Sequence, residues 1–224
     1  ILKNSKAEGN VAGIEIENTT NADVFNNEAT DNTGGILVFD LPGLTKYGLN
    51  TRVFNNKSIN NNRVNFAPEG NIVSNVPIGT GIMVLSTKNV EIFENDLENN
   101  NFANIIVSSL LIYNSDPGDP NYDAFPSGVN IHDNTYSMDG NLNIADQKEL
   151  TQMLIGLLAQ IVIGQTDIFM DGLLLLPDAV CIDEAGASFV NINAFDETFM
   201  SVSVDQSAHA CTADPLPEVT FVHY

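Results

Sequence analysis

Positive charge is scarce in this chain. Eight Lys and Arg stand against 29 Asp and Glu, a formal charge of -21 over 224 residues. So few cations cannot neutralise a run of phosphates, which argues against nucleic acid, and the excess of carboxylates is repelled by an anionic membrane surface. A cation, a basic protein patch or a neutral polymer remain admissible partners, and the charge itself serves solubility. Long apolar runs are also missing. The stretches 153–163 and 173–176 are too short to span a bilayer, and no signal-peptide pattern occurs within these residues. Cysteine is confined to Cys181 and Cys211. The pair admits one disulfide in an oxidising compartment or two buried thiols. Neither has a second Cys or a His at the spacing of a known zinc motif.

What the chain has is repetition. Val24-Phe25-Asn26-Asn27, Val53-Phe54-Asn55-Asn56, Ile92-Phe93-Glu94-Asn95 and Ile131-His132-Asp133-Asn134 are near copies. A second set interleaves with them, beginning Gly13-Ile14, Gly35-Ile36, Gly81-Ile82 and Asn104-Ile105. Regular self-similarity of short strand-like units predicts stacked coils of an all-β parallel β-helix. Alternation of apolar and polar residues points Val90, Ile92 and Leu97 inward, together with Ile14/Ile16, Ile36/Val38, Ile82/Val84 and Ile105/Val107. Asparagine tolerates the left-handed backbone of a tight corner. Asn95 and Asn100 are therefore expected at corners, with Asn27, Asn56, Asn95 and Asn134 forming one hydrogen-bonded ladder. The intervals between these four are 29, 39 and 39 residues against a basic coil of 22, so loops leave the coils at 41–48, 66–77 and 113–127. Such insertions are where function concentrates. Leu2-Lys3-Asn4 aligns with Val24-Phe25-Asn26, so the first coil is entered midway. The expectation is that further coils precede it or a partner covers its edge.

The outward residues of the second set run Glu15, Leu37, Met83, Ile106 and Glu17, Phe39, Leu85, Ser108. From the second coil onward they make an apolar patch that needs a cover. Leu150, Met153, Leu154, Leu157, Leu158 and Ile161 form a helical stripe suited to that role, with Asn143 or Asp146 as N-cap and Gly164 as stop. The expected organisation is coils over 1–139, a helical insert over 140–175 covering the outer face, and a C-terminal coil and tail over 176–224.

With these segments in view, the chain resembles the secreted bacterial parallel β-helix repeat proteins of the pectin-lyase-like superfamily. The likeness is carried by Asn10 to Asn18, Thr33 to Gly43, Val53 to Lys57, Asp119 to Asp123 and Cys211 to Val219. It implies a right-handed coil, a longer parent chain, and export to the periplasm, the outer membrane or the extracellular space. It also implies pairing of Cys181 with Cys211 and an envelope partner such as a c-type cytochrome. Better-known relatives include pectate lyases and alginate epimerases, which use an Arg or Lys base with Ca2+. No matching catalytic motif is found here. The cations Lys46, Arg52, Lys57, Arg63 and Lys88 are scattered along the chain.

Three sets of residues are candidates for chemistry. His132, Asp133 and Tyr122 are the one acid/base grouping the sequence offers, with His132 replacing a Phe of the repeat. Phe25, Phe54 and Phe93 either stack on sugar rings of a polysaccharide or pack on one another. Asp116, Asp119 and Asp123 give a loop the oxygens that Ca2+ wants, although its prolines suit a stiff turn equally. The expected function is a non-catalytic β-helix that binds a polysaccharide or a protein. The alternative is a polysaccharide lyase or uronate epimerase.

Overall fold

The computed structural model describes residues 1–113, 116–159, 165–176, 179–196 and 201–220. The chain passes repeatedly through three sheets in the same order. The first circuit is β1 (Leu2–Lys3), β2 (Lys6–Glu8) and β3 (Ala12–Glu17), and the second β4 (Thr20–Phe25), β5 (Glu28–Thr30) and β6 (Gly34–Phe39). Then follow β7 (Leu49–Phe54), β8 (Lys57–Ile59), β9 (Thr80–Leu85) and β10 (Lys88–Phe93), β11 (Asp96–Glu98), β12 (Ala103–Ser108). The last full circuit is β13 (Ser127–His132), β14 (Thr135–Ser137) and β15 (Thr166–Met170), after which β16 (Val180–Asp183) and β17 (Phe189–Asn191) extend two sheets. The first sheet is ordered β1-β4-β7-β10-β13-β16, the second β2-β5-β8-β11-β14 and the third β3-β6-β9-β12-β15-β17. All these pairings are parallel, as a parallel β-helix requires.

Register follows the sequence repeat. Val24, Val53, Ile92, Ile131 and Ile182 stack in one column, and Ile14, Ile36, Ile82, Ile105 and Ile168 in another. Their side chains form a single buried interior with the other inward residues. Each such aliphatic side chain contributes roughly 1.5–3 kcal/mol through burial. The glycines that open the second repeat set are sites of close approach. A Cβ on Gly13 would lie 2.6 Å from the Gly35 carbonyl oxygen, and one on Gly35 2.6 Å from that of Gly81.

The asparagine ladder is present. The Asn27 main-chain N–H and side-chain amide both donate to Asn56 Oδ1 at 3.0 Å. Asn56 repeats this with Asn95, and Asn95 with Asn134. Glu184 Oε1 ends the ladder by accepting both Asn134 donors. Asn10, Asn32, Asn61 and Asn100 build a second ladder at the next corner. The corner geometry departs from expectation. The left-handed residue is the one before the ladder, Asn26, Asn55, Glu94 or Asp133, with φ of 54°, 53°, 52° and 55°. The ladder position needs an amide for its hydrogen bonds, not for its backbone.

The apolar outward rows of the third sheet are covered. Leu37, Phe39, Met83, Leu85, Ile106, Phe169 and Val190 share a second buried cluster with residues of the long connections and of α1 (Glu149–Leu158). The helix differs from expectation in start and face. Asn143 and Asp146 bond to each other in a turn, and the helix begins only at Glu149. Its buried positions are Thr151, Leu154, Ile155 and Leu158, while Met153 is 51% exposed. Gln147 fixes the entry, accepting from Ile78 N at 2.9 Å and donating to Ile78 O at 2.7 Å. The Leu157 side chain, Ile161 and Gly164 lie outside the described parts of the chain. Loops leave at two corners. Residues 41–48 and 109–126 emerge between the third sheet and the first, and 60–79 and 138–165 between the second and the third.

Candidate functional site

The outer face of the first sheet carries three rows. One is Asn21, Asn50 and Asn89, joined amide to amide. The middle row is Asp23, Arg52, Glu91, Asn130 and Cys181, and the third Phe25, Phe54, Phe93, His132 and Asp183. In the third row the rings stack face to face, with centroids 4.9, 4.9 and 5.2 Å apart and planes within 12°. The Arg52 guanidinium lies 4.8 Å from the Phe54 ring and 5.7 Å from that of Phe93. Ring faces are therefore turned on one another, and a sugar reaching Phe25, Phe54 or Phe93 would meet ring edges in place of the face that sugar stacking uses.

His132 closes this column. Its Nδ1 lies 2.9 Å from Asp133 Oδ2 and its Nε2 3.4 Å from Glu91 Oε1. Burial pulls its pKa down, but the hydrogen bonds and charges of Asp133 and Glu91 outweigh that, and the net shift is upward. Both imidazole nitrogens are taken up by these carboxylates, and neither is turned to a substrate. Tyr122 is not in this group. Its hydroxyl donates to the Asp40 carbonyl at 2.6 Å and its ring faces Tyr47. The trio His132, Asp133 and Tyr122 is thus divided between two places.

The three carboxylates of the calcium candidate line one cavity of about 470 Å3, and each is engaged by groups of the two loops. Asp116 Oδ1 accepts from Gly118 N. Asp119 accepts from Gly43 N, Asn121 N and the Tyr47 hydroxyl, and these donors hold its pKa below the usual range. Asp123 pairs with Lys88 at 3.1 Å and accepts from Phe125 N. Among the described residues no three His, Cys, Asp or Glu side chains are grouped to hold a metal ion.

These same contacts build a different site. The loops 41–48 and 109–126 are clasped together by Asp119 on Tyr47 and Gly43 and by Tyr122 on Asp40. Between them and the sheet corner lies a cleft of about 620 Å3, lined by Thr20, Asp40, Lys46, Tyr47, Lys88 and Asn121. Tyr47 is 37% exposed. Asp40 Oδ1 accepts from Gly48 N at 2.7 Å and Asn18 Nδ2 at 3.1 Å. Burial pushes the Asp40 carboxyl up to about 6, against the pull of the Gly48 bond and the Lys88 charge. Lys88 is lowered, chiefly by burial. Its ammonium donates to Ser86 O, Asp123 O and Phe125 O and pairs with the Asp123 carboxylate, which uses every N–H it has. Lys88 therefore pins the 109–126 loop. Asp40 and Tyr47 carry no signal in sequence, because the loop residues clasped to them, Tyr122 and Asp119, come from 82 and 72 residues away.

Cys181 and Cys211 are bonded, with Cα atoms 5.1 Å apart. Such bonds persist outside a reducing cytoplasm. No helix among the described residues is long and apolar enough to cross a membrane. Set against protein-family models, curated proteins and solved structures, the chain matches none.

Proposed function

We propose that this chain belongs to an exported, right-handed β-helix solenoid of the pectin-lyase-like kind that binds a polysaccharide in the Tyr47–Asp40 cleft without cleaving it. The observation that carries the reading is the lining of the cleft. A half-exposed tyrosine stands beside a carboxylate, an amide, a threonine and a lysine. Sugars need that combination, an apolar ring for their C–H face and fixed polar groups for their hydroxyls. The saturated ammonium of Lys88 and the doubly held His132 favour binding over proton abstraction. The charge of -21 favours a neutral or cationic glycan over a free polyuronate.

One observation favours an enzyme, a lyase or epimerase. A carboxyl with a pKa near 6 in a cleft can exchange a proton close to neutrality. A glycan and polyuronate array, with and without Ca2+, decides between them when read for both retention and chain cleavage. Binding without cleavage, lost in Tyr47→Ala, is the expected result. New unsaturated ends would transfer the case to the enzyme. Absence of any glycan binding would refute the reading and turn the search to protein partners of the envelope, a c-type cytochrome included.

A further inference from the structure

The middle row of the first sheet's outer face is not bare. Beyond the Cys181–Cys211 bond, the chain runs back across that face. Leu216 N donates to Glu91 Oε2 at 3.1 Å and Val219 N to Asp23 Oδ2 at 3.1 Å. Glu91 and Asp23 stand on β10 and β4, two strands apart with Arg52 between them. Two strand spacings are roughly 9.6 Å. Three residues of polyproline-II chain advance about 9.3 Å and make one full turn. The exposure of the segment follows that turn. Ala213, Leu216 and Val219 are half-buried, and Asp214, Pro215, Pro217 and Glu218 are exposed. A β-strand would alternate in twos. Pro215 and Pro217 hold the extended backbone.

The face matches this occupant in detail. The half-buried aromatic column flanks the row on one side and the asparagine row on the other. Asp23 and Glu91 have side chains only 2% and 3% exposed, both held by Arg52 at 3.5 and 3.6 Å, so their oxygens are fixed acceptors for main-chain N–H groups. Asp23 Oδ1 is buried with no hydrogen-bond partner among the described residues, leaving an acceptor to spare. Among the described residues the tail is held to this face by these two main-chain N–H groups, by the half-buried Leu216 and Val219, and by the disulfide.

We propose that this face is a docking groove for an extended, proline-containing segment of a partner protein, and that residues 211–220 are its built-in ligand. The rule of recognition is an aliphatic residue at every third position, each with a free N–H, and prolines only between them. Leu216-Pro217-Glu218-Val219 obeys it. The tethered tail competes at an effective concentration in the millimolar range, so a partner enters where the tail is unhooked. The proposal concerns a different face from the cleft and stands independently of glycan binding.

The test uses the full chain with Cys181→Ser, Cys211→Ser, Leu216→Asp and Val219→Asp, which unseats the tail while leaving Asp23, Arg52 and Glu91 of the groove unaltered. The probe is a fluorescein-labelled synthetic peptide of residues 211–220 with Ser at its first position. Fluorescence anisotropy is expected to show saturable binding, at least tenfold weaker for a peptide in which Pro217 and Val219 exchange places. Glycan retention is expected to be unchanged. No binding, or equal binding of the two peptides, overturns the proposal. Concentration-dependent dimers of the Cys181→Ser, Cys211→Ser chain would overturn it in favour of a second copy as partner. Amide exchange of the unaltered protein is a check that requires no variant. Leu216 and Val219 should exchange at least tenfold more slowly than Asp214 and Glu218, and equal rates would remove the groove.

Discussion

Asn56→Ala isolates what the asparagine ladder is worth. The Asn56 side chain accepts from the Asn27 N–H and the Asn27 amide, and donates to Val24 O and Asn95 Oδ1, all at 2.9–3.0 Å and all buried. Alanine leaves the Asn27 N–H and the Val24 carbonyl without these bonds and breaks one contact each of Asn27 and Asn95. A buried polar group stranded in this way costs about 1–3 kcal/mol, so the loss is expected at about 3–5 kcal/mol. The comparison is Asn55→Ala, one residue earlier. Asn55 is exposed and in the left-handed region with φ of 53°. A Cβ-bearing residue without a polar side chain costs roughly 1–2 kcal/mol there, and Asn55→Gly should recover most of it. Urea unfolding followed by far-UV circular dichroism gives the three values. Equal losses for Asn55→Ala and Asn56→Ala, within about 0.5 kcal/mol, would show that the ladder bonds do not hold the circuits together.

Three further outcomes are expected. Asp171 is fully buried, accepts from Ser108, Ser109 and Leu173, and is pushed by burial up to about 7. Folding thus favours its protonated form. That advantage is complete below about pH 4 and is lost as pH rises to about 7, so unfolding at pH 5 should require about 2–3 kcal/mol more than at pH 8. The slope should shrink in Asp171→Asn, and a flat profile would contradict the assignment. Ile155→Ala should cost about 2–4 kcal/mol and Met153→Ala less than about 0.5 kcal/mol, because of these two only Ile155 is buried beneath α1. Equal effects would misplace the helix face. Arg52→Met removes the guanidinium beside the buried Asp23 and Glu91, leaving Asp23 the Val219 N–H and Glu91 the Leu216 N–H and His132, and should cost about 3 kcal/mol at pH 7. An unaltered unfolding midpoint would rule out the buried pairs.

The coils were legible because a period of two repeated at fixed columns leaves one face for the interior. That logic placed Ile36, Val38, Ile82 and Val84 correctly. It blurred at the corners, where two adjacent asparagines look alike in sequence. Glu94 and Asp133 show that the turning residue is free to vary, while Asn95 and Asn134 are tied by their amides. The helix was legible by its apolar spacing but not by its cap, since Asn143 and Asp146 satisfy each other before the helix starts. The site was mostly illegible. Lys88 meets the 109–126 loop 35 residues on, at Asp123, and Tyr122 reaches Asp40 82 residues back. The tail's fit to the first sheet depends on the equality of two lengths, a strand spacing doubled and a polyproline turn, which no local pattern records.

The most direct measurement titrates the oligosaccharide retained best on the array against the unaltered protein, Tyr47→Ala and Phe54→Ala, each shown to unfold as one cooperative unit. Binding to the loop-walled cleft requires at least a tenfold loss of affinity in Tyr47→Ala and none in Phe54→Ala. Full affinity in Tyr47→Ala would contradict the account, and a loss confined to Phe54→Ala would move the glycan to the outer face of the first sheet.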